Sequence, residues 1–156
     1  PVRLSKLLRS YAADLLNAGI SEKHSVEVEI SSEAETAVID CDARLISRAI
    51  GNLVQNSINH NPQGCDIFLS LDCSSEDVSI TVADNGVGMS AEKLRELEEK
   101  PHYMESTDER LDLRHGLGLL LVRQIVEAHG GVMKIESVPQ SGYKTILTFR
   151  RLLSLE

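Results

Sequence analysis

Asn52, Asn56, Asn59 and His60 stand in "GNLVQNSINHNPQG" (51–64), which otherwise reads as a buried helix. Asn52, Asn56 and His60 are spaced by four and Asn59 follows Asn56 by three, so the four share one helix face. Asparagine is a poor helix former, about 0.6 kcal/mol worse than alanine at each interior position. Its repetition on one face therefore calls for a chemical reason. An amide carbonyl is an oxygen ligand without charge, which suits Mg²⁺ already carried by phosphate oxygens. On that chemistry Asn56 supplies a metal ligand and Asn52 holds a metal-bound water or a phosphate oxygen. Asn59 and His60, one turn on, reach phosphate or base. The alternative is a polar helix face turned to solvent.

Two further stretches carry chemistry. "DNGVGM" (84–89) directly follows an apolar strand, so Asp84 falls at the strand's end. There its carboxylate can accept from an amino group such as that of adenine. Gly86 and Gly88 let the backbone turn sharply and approach a ligand closely; Asp-Asn-Gly is also an ordinary tight turn. In "RHGLGLLLVRQIVEAHGG" (114–131), Gly116 and Gly118 open what reads as an apolar helix from Leu117 to His129. Free backbone N–H groups and the positive end of the helix dipole make such a start a phosphate site. Glycines used for close helix packing are the alternative.

These residues need elements to position them. Leu4, Leu7, Leu8, Tyr11, Leu15 and Leu16 keep helical spacing, and Gly19 ends that helix. "SVEVEI" (25–30) alternates as a half-buried strand, and "TAVID" (36–40) reads as a short second one. Asp42 is the predicted N-cap of a helix to about Asn59, with Leu45, Ile46, Ala49, Ile50, Leu53 and Ile58 on its apolar side and Pro62 and Gly64 to stop it. Strands follow at 66–71 and 78–83. A polar segment from Asp84 to His115 holds one short helix, about 91–99, and a long stretch without period, a pattern that marks function or mobility. After the Leu117–His129 helix, Gly130-Gly131 closes it, and strands 132–138 and 144–149 form a hairpin. The order predicts a two-layer α/β sandwich, with a mixed, mostly antiparallel sheet and helices on one face.

Composition narrows the function. The 156 residues suggest one domain large enough to bury a core unaided. A net charge of −8 and 3% aromatics argue against a nucleic-acid or membrane-surface binder, and any phosphate site must be built locally. Cys41, Cys65 and Cys73 have no CxxC spacing and read as ordinary thiols. No apolar run approaches a membrane span and no signal peptide is evident. The chain opens at Pro1 and is read as a piece of a longer protein.

Together, "NLVQNSINHNP", "DNGVGM" and "HGLGLLLVRQIVEAHGG" resemble the N box and two glycine boxes of bacterial sensor histidine kinases, in the catalytic domain of the GHKL superfamily. The resemblance covers the chain from about residue 20. It implies the Bergerat ATP-binding fold, with ATP and Mg²⁺ as ligands. Asn56 would coordinate Mg²⁺ and Asn52 support metal and phosphates, as the catalytic pair. Asp84 would bind the adenine amino group, with Gly86, Gly88 and Met89 beside the base. Gly116, Leu117, Gly118 and Leu119 would cover the phosphates through their backbone, and residues 89–115 would form a mobile ATP lid.

Asn59 stands where the family often has a phosphate-binding Lys or Arg, His60 where Tyr or Phe often packs by adenine, and Arg114 at a usual glycine. "KPHYM" (100–104) replaces the phenylalanine-bearing lid motif, and Arg114 or Arg110 could replace the charge Asn59 lacks. None of the five histidines has the phosphoacceptor context, so the accepting histidine is expected on a separate helical dimerisation domain. Residues 1–19 would be a linker continuing from it and 20–156 the catalytic domain. The expected parent is a cytoplasmic or membrane-anchored bacterial sensor dimer with this segment as a cytoplasmic portion, partnered indirectly by a response regulator, with no nucleic-acid partner and no membrane contact by this segment. A GHKL ATPase doing conformational work, and a degenerate nucleotide sensor, are the competing readings.

Overall fold

The computed structural model describes residues 1–20, 22–88, 109–138 and 142–152, with side chains except at 109–118 and 138. In chain order the elements are β1 (Val2–Arg3), α1 (Leu4–Ala18), β2 (His24–Ile30), a 3₁₀ turn (Ser32–Ala34), β3 (Val38–Ile39) and α2 (Ala43–His60). Then come β4 (Cys65–Cys73), β5 (Asp77–Asp84), α3 (Glu109–Ala128), β6 (Val132–Val138) and β7 (Gly142–Arg150). The short helix expected at about 91–99 lies outside the described residues.

Five strands form one sheet in the order β2-β4-β5-β7-β6. β2 and β4 run parallel and every other neighbouring pair is antiparallel. A parallel pair cannot be joined by a hairpin, and α2 lies in the crossover between β2 and β4. The inner face is apolar: Ile67, Leu69 and Leu71 from β4, Val78, Ile80 and Val82 from β5, Leu147 and Phe149 from β7 are buried. Against it pack Leu4, Leu8 and Ala12 of α1, Ile46, Ile50 and Leu53 of α2, and Val122, Ile125 and Val126 of α3. The predicted two-layer sandwich is therefore observed. The helix read from sequence as a linker, α1, contributes to this same core, and the paired Arg9 and Glu35 side chains with the Ser5 hydroxyl on Glu35 O tie it to the 3₁₀ turn.

Three expectations need correcting. The strand read at 36–40 is only Val38–Ile39, and it pairs with β1 in a separate two-stranded sheet, with Leu152 bridged to Val38. Leu16 and Leu45, read as apolar-face residues, are exposed. The third helix starts at Glu109, not Leu117. Leu113, Leu117 and Leu121, each four apart, carry the helical spacing back into the polar segment, so two glycines, each about 1 kcal/mol worse than alanine, do not stop it.

The helix ends are held locally. Asp42 Oδ1 accepts from the Arg44 and Leu45 N–H groups, the expected N-cap of α2. Gly130 turns the chain after α3 with φ 71°. The Asp42 N–H donates to His129 Nε2, so the proton sits on Nδ1, which donates to Ile125 O. That ring joins the start of α2 to the end of α3.

Candidate functional site

The pleat of β5 makes the site. Val78, Ile80 and Val82 point inward, and two residues on so does Asp84, which is 6% exposed. Across β7, Tyr143 lies opposite Asp84 and Thr145 opposite Val82, both buried. Asp84 Oδ1 accepts from Gly86 N–H at 2.9 Å. Asp84 Oδ2 is buried and has no partner among the described residues, and neither has Thr145 Oγ1. A buried acceptor left so costs about 1–3 kcal/mol. An incoming amino group offsets that cost, so the pair suits a donor-bearing base edge.

The loop after β5 is clasped on two sides. Asn85 Oδ1 accepts from Asp66 N–H at 2.8 Å while its Nδ2 donates to Asp66 Oδ2 at 3.0 Å. Ser25 Oγ donates to Asp66 Oδ1, and this bond, then Asn85, holds the Asp66 carboxyl below the usual carboxylate range. On the other side, Asn61 Oδ1 accepts from Val87 N–H at 2.9 Å. Gly86 lies against that amide: a Cβ there would stand 2.0 Å from Asn61 Oδ1. Gly88 has φ 68°, the left-handed region glycine tolerates. Gly142 also serves the site, because a Cβ at that residue would stand 2.1 Å from Asp84 O.

The asparagine face of α2 meets this end of the sheet. Asn56 falls on the buried stripe with Leu53 and Ser57 and is itself 6% exposed. Asn52, Asn59 and His60 are partly exposed, and Asn59 Oδ1 accepts from Gln55 Nε2. The His60 ring is centred 6.5 Å from that of Tyr143, at 33°. Since Tyr143 is also opposite Asp84, helix face and strand end converge on it. Among the described residues no three His, Cys, Asp or Glu form a metal cluster. The Asn56 amide carbonyl is a neutral oxygen donor of the kind that hard cations take.

Beneath the loop lies Cys65, whose thiol burial first, and then the Asp84 and Asp66 carboxylates, push up to about 11. A cavity of about 200 Å³ at the strand ends is lined in part by Asp84, Gly142 and Tyr143. A larger groove of about 650 Å³ between α1 and α2 includes Arg3, Lys6, Tyr11 and Ser47 but none of the candidate residues; the polar chemistry favours the former.

Gly116, Leu117, Gly118 and Leu119 do not sit at a helix start. They lie inside α3, where the backbone N–H groups free of helical bonds are those of its first four residues, from Glu109. The Leu119 side chain is in the core. The side chains of Arg110, Arg114 and Leu117 lie outside the described residues, as do Met89 and 89–108 of the expected lid, including "KPHYM"; 109–115, its remainder, are helical. Asn61, Tyr143, Gly142 and Thr145 were not singled out from sequence. A threonine in the inward row of an otherwise apolar strand was a readable signal for Thr145.

Residues 41–153 match the family described as histidine kinase-, DNA gyrase B-, and HSP90-like ATPase. The sensor protein IrlS of Burkholderia pseudomallei is 31% identical over 120 residues, 77% of this chain and 25% of that protein. The adaptive-response sensory kinase SasA of Crocosphaera subtropica is 33% identical over 141 residues, 90% of this chain and 35% of that protein. The chain thus spans a quarter to a third of these relatives. A solved catalytic domain of the histidine kinase ThkA superposes with TM-score 0.76 at 23% identity, covering 96% of this chain and 95% of that one; the likeness is one of fold.

Proposed function

Because the chain belongs to the histidine kinase-, DNA gyrase B-, and HSP90-like ATPase family, we propose that it holds Mg-ATP and presents the γ-phosphate to a histidine on another domain of a sensor kinase. The observation that carries this reading is the buried Asp84 Oδ2 at the end of β5, with no donor among the described residues. The adenine amino group supplies that donor, and the Thr145 hydroxyl accepts or donates beside it. Guanine would set its O6 against the carboxylate, acceptor to acceptor, which favours adenine.

Asn56 offers its carbonyl to the cation, and Asn52, one turn earlier, orients a water or phosphate oxygen. Mg²⁺, when bound, neutralises charge on the transferring phosphate, and phosphoryl transfer asks mainly for positioning. Asn52 cannot take a proton from water at neutral pH, which favours transfer to an external nucleophile over hydrolysis. For Gly116 to Leu119 to cover phosphates through their backbone, the first turns of α3 unwind when nucleotide binds, and the two glycines lower the cost of doing so. Arg110 or Arg114 brings cationic charge to the same end. Asn59 reaches phosphate after releasing Gln55, and His60, with Met89, packs by the base.

The partner is a helical dimerisation domain bearing the accepting histidine, with a response regulator downstream. The cytoplasmic side of a bacterial membrane is the proposed location; among the described residues no helix is long and apolar enough to cross a membrane.

The test incubates this chain with γ-labelled ATP. It should bind nucleotide, label itself negligibly and hydrolyse slowly; the parent's helical hairpin, added in trans, should take up label at a rate rising with its concentration. Stable label on this chain's own histidines, or brisk hydrolysis without a partner, overturns the kinase reading.

A further inference from the structure

We infer that Asn61 is a positioning residue for the base: it decides which carboxylate oxygen of Asp84 faces the ligand. The inference rests on the nucleotide reading above. Asn61 is 4% exposed and every polar group it has is engaged. Its backbone N–H donates to Ile58 O at 3.2 Å, and its carbonyl accepts from Gly64 N–H at 2.9 Å and from His24 Nε2 at 2.7 Å. Its side-chain Nδ2 donates to Ser57 O at 2.8 Å. With the amino side of the amide fixed there, the oxygen has one direction left, toward the glycine loop, where it accepts from Val87 N–H.

The consequences run in sequence. The held Val87 N–H and the amide pressed against Gly86 set the height of the loop. That height places the Gly86 N–H 2.9 Å from Asp84 Oδ1. One oxygen of the carboxylate is then occupied and the other, Oδ2, is left for an external donor. Without Asn61, Gly86 N–H and both carboxylate oxygens are free to exchange partners with water, and the acceptor is no longer preset. His24, donating from beneath with its Nδ1 side unpartnered among the described residues, anchors Asn61 and so acts one step further from the base.

The test is calorimetric titration of ADP into five folded variants (Asn61→Ala, Asp84→Asn, Gly86→Ala and the doubles of Asn61→Ala with each of the other two), with urea unfolding alongside. Asn61→Ala should weaken ADP about tenfold, the cost of one buried hydrogen bond lost from the loop. In the Asp84→Asn background the same substitution should change affinity by less than about twofold, because the oxygen it presets is gone. Gly86→Ala alone should weaken ADP at least as much, yet add little to Asn61→Ala, since the amide atoms that its methyl group meets are then removed. A merely structural Asn61 would lower the urea midpoint and leave the affinity of the folded chain unchanged, or lose the same factor whether residue 84 is Asp or Asn; either result overturns the inference. Should Asn61→Ala not fold, wild-type affinity in Gly86→Ala overturns it equally. A wild-type chain that binds no ADP overturns the nucleotide reading and this inference together, whereas normal wild-type binding, weakened by Asp84→Asn but not by Asn61→Ala, removes the inference alone.

Discussion

Replacing Asp84 by asparagine separates two quantities that usually move together, stability and affinity. In the free chain Oδ1 takes the Gly86 N–H and Oδ2 has no partner among the described residues. An asparagine keeps its oxygen on the Gly86 N–H, because its NH₂ cannot accept, and so turns that NH₂ toward the ligand. The adenine amino group then meets a donor. Loss of a charge-assisted hydrogen bond amounts to about 1.5–3 kcal/mol, or roughly tenfold to 150-fold in Kd. The folded chain itself loses nothing comparable, since the Gly86 N–H keeps its acceptor and one buried unpartnered oxygen is exchanged for one buried unpartnered NH₂; its urea midpoint should stay near that of the unsubstituted chain. GDP, whose O6 accepts, should lose its handicap against ADP. The assay is calorimetry with ADP and GDP at matched folded fraction. Unchanged ADP affinity in a folded Asp84→Asn chain would falsify the adenine assignment, and an unchanged ADP-to-GDP ratio would remove the account of selectivity.

Asn56→Ala should weaken Mg-ATP more than metal-free ATP, by about tenfold, because the lost carbonyl is a metal ligand; equal losses in titrations with and without Mg²⁺ take Asn56 off the metal. Gly118→Ala should stabilise α3 by about 1 kcal/mol and weaken ATP binding, since a stiffer helix unwinds less readily; a rise in both stability and affinity contradicts the unwinding step. For Cys65, a folded thiol raised to about 11 against an unfolded value near 9 means stability present below pH 9 and lost as pH rises toward 11. The loss is on the order of 2 kcal/mol at high pH, and Cys65→Val should abolish it; identical urea midpoints for both chains across pH 8–11 refute the assignment.

The fold was legible where one periodicity ran without competition. β5 announces its inward row through Val78, Ile80 and Val82, and Asp84 follows by counting. α2 was bounded at both ends by local signals, Asp42 and Pro62. α3 was misread at its start because the glycines were given more weight than the leucines before them; a helix tolerates glycine when its other residues pack. β3 was overextended because its partner, β1, is distant in sequence and a two-residue pairing leaves no period. Of the site, the Asp-Asn-Gly turn and the asparagine face were readable. The role of Asn61 was not, since it depends on which elements meet, Asn61 acting through Val87; Thr145 carried a signal as a threonine in an apolar inward row, but its role comes only from lying on the strand beside Asp84.

The alternation along β5 also makes nucleotide binding an internal audit of strand pairing. Side chains of a strand change face with every residue, so a pairing slipped by one position turns Asp84 outward together with Val78, Ile80 and Val82. No intermediate position exists: the carboxylate is inside the pocket or on the wrong side of the sheet. Substitutions around Asp84 can therefore tune the site by degrees, whereas one residue inserted into or deleted from 78–83 switches it off. Misregistered molecules of this chain should accordingly pass unretained through an immobilised-nucleotide column, and only correctly paired ones should stay.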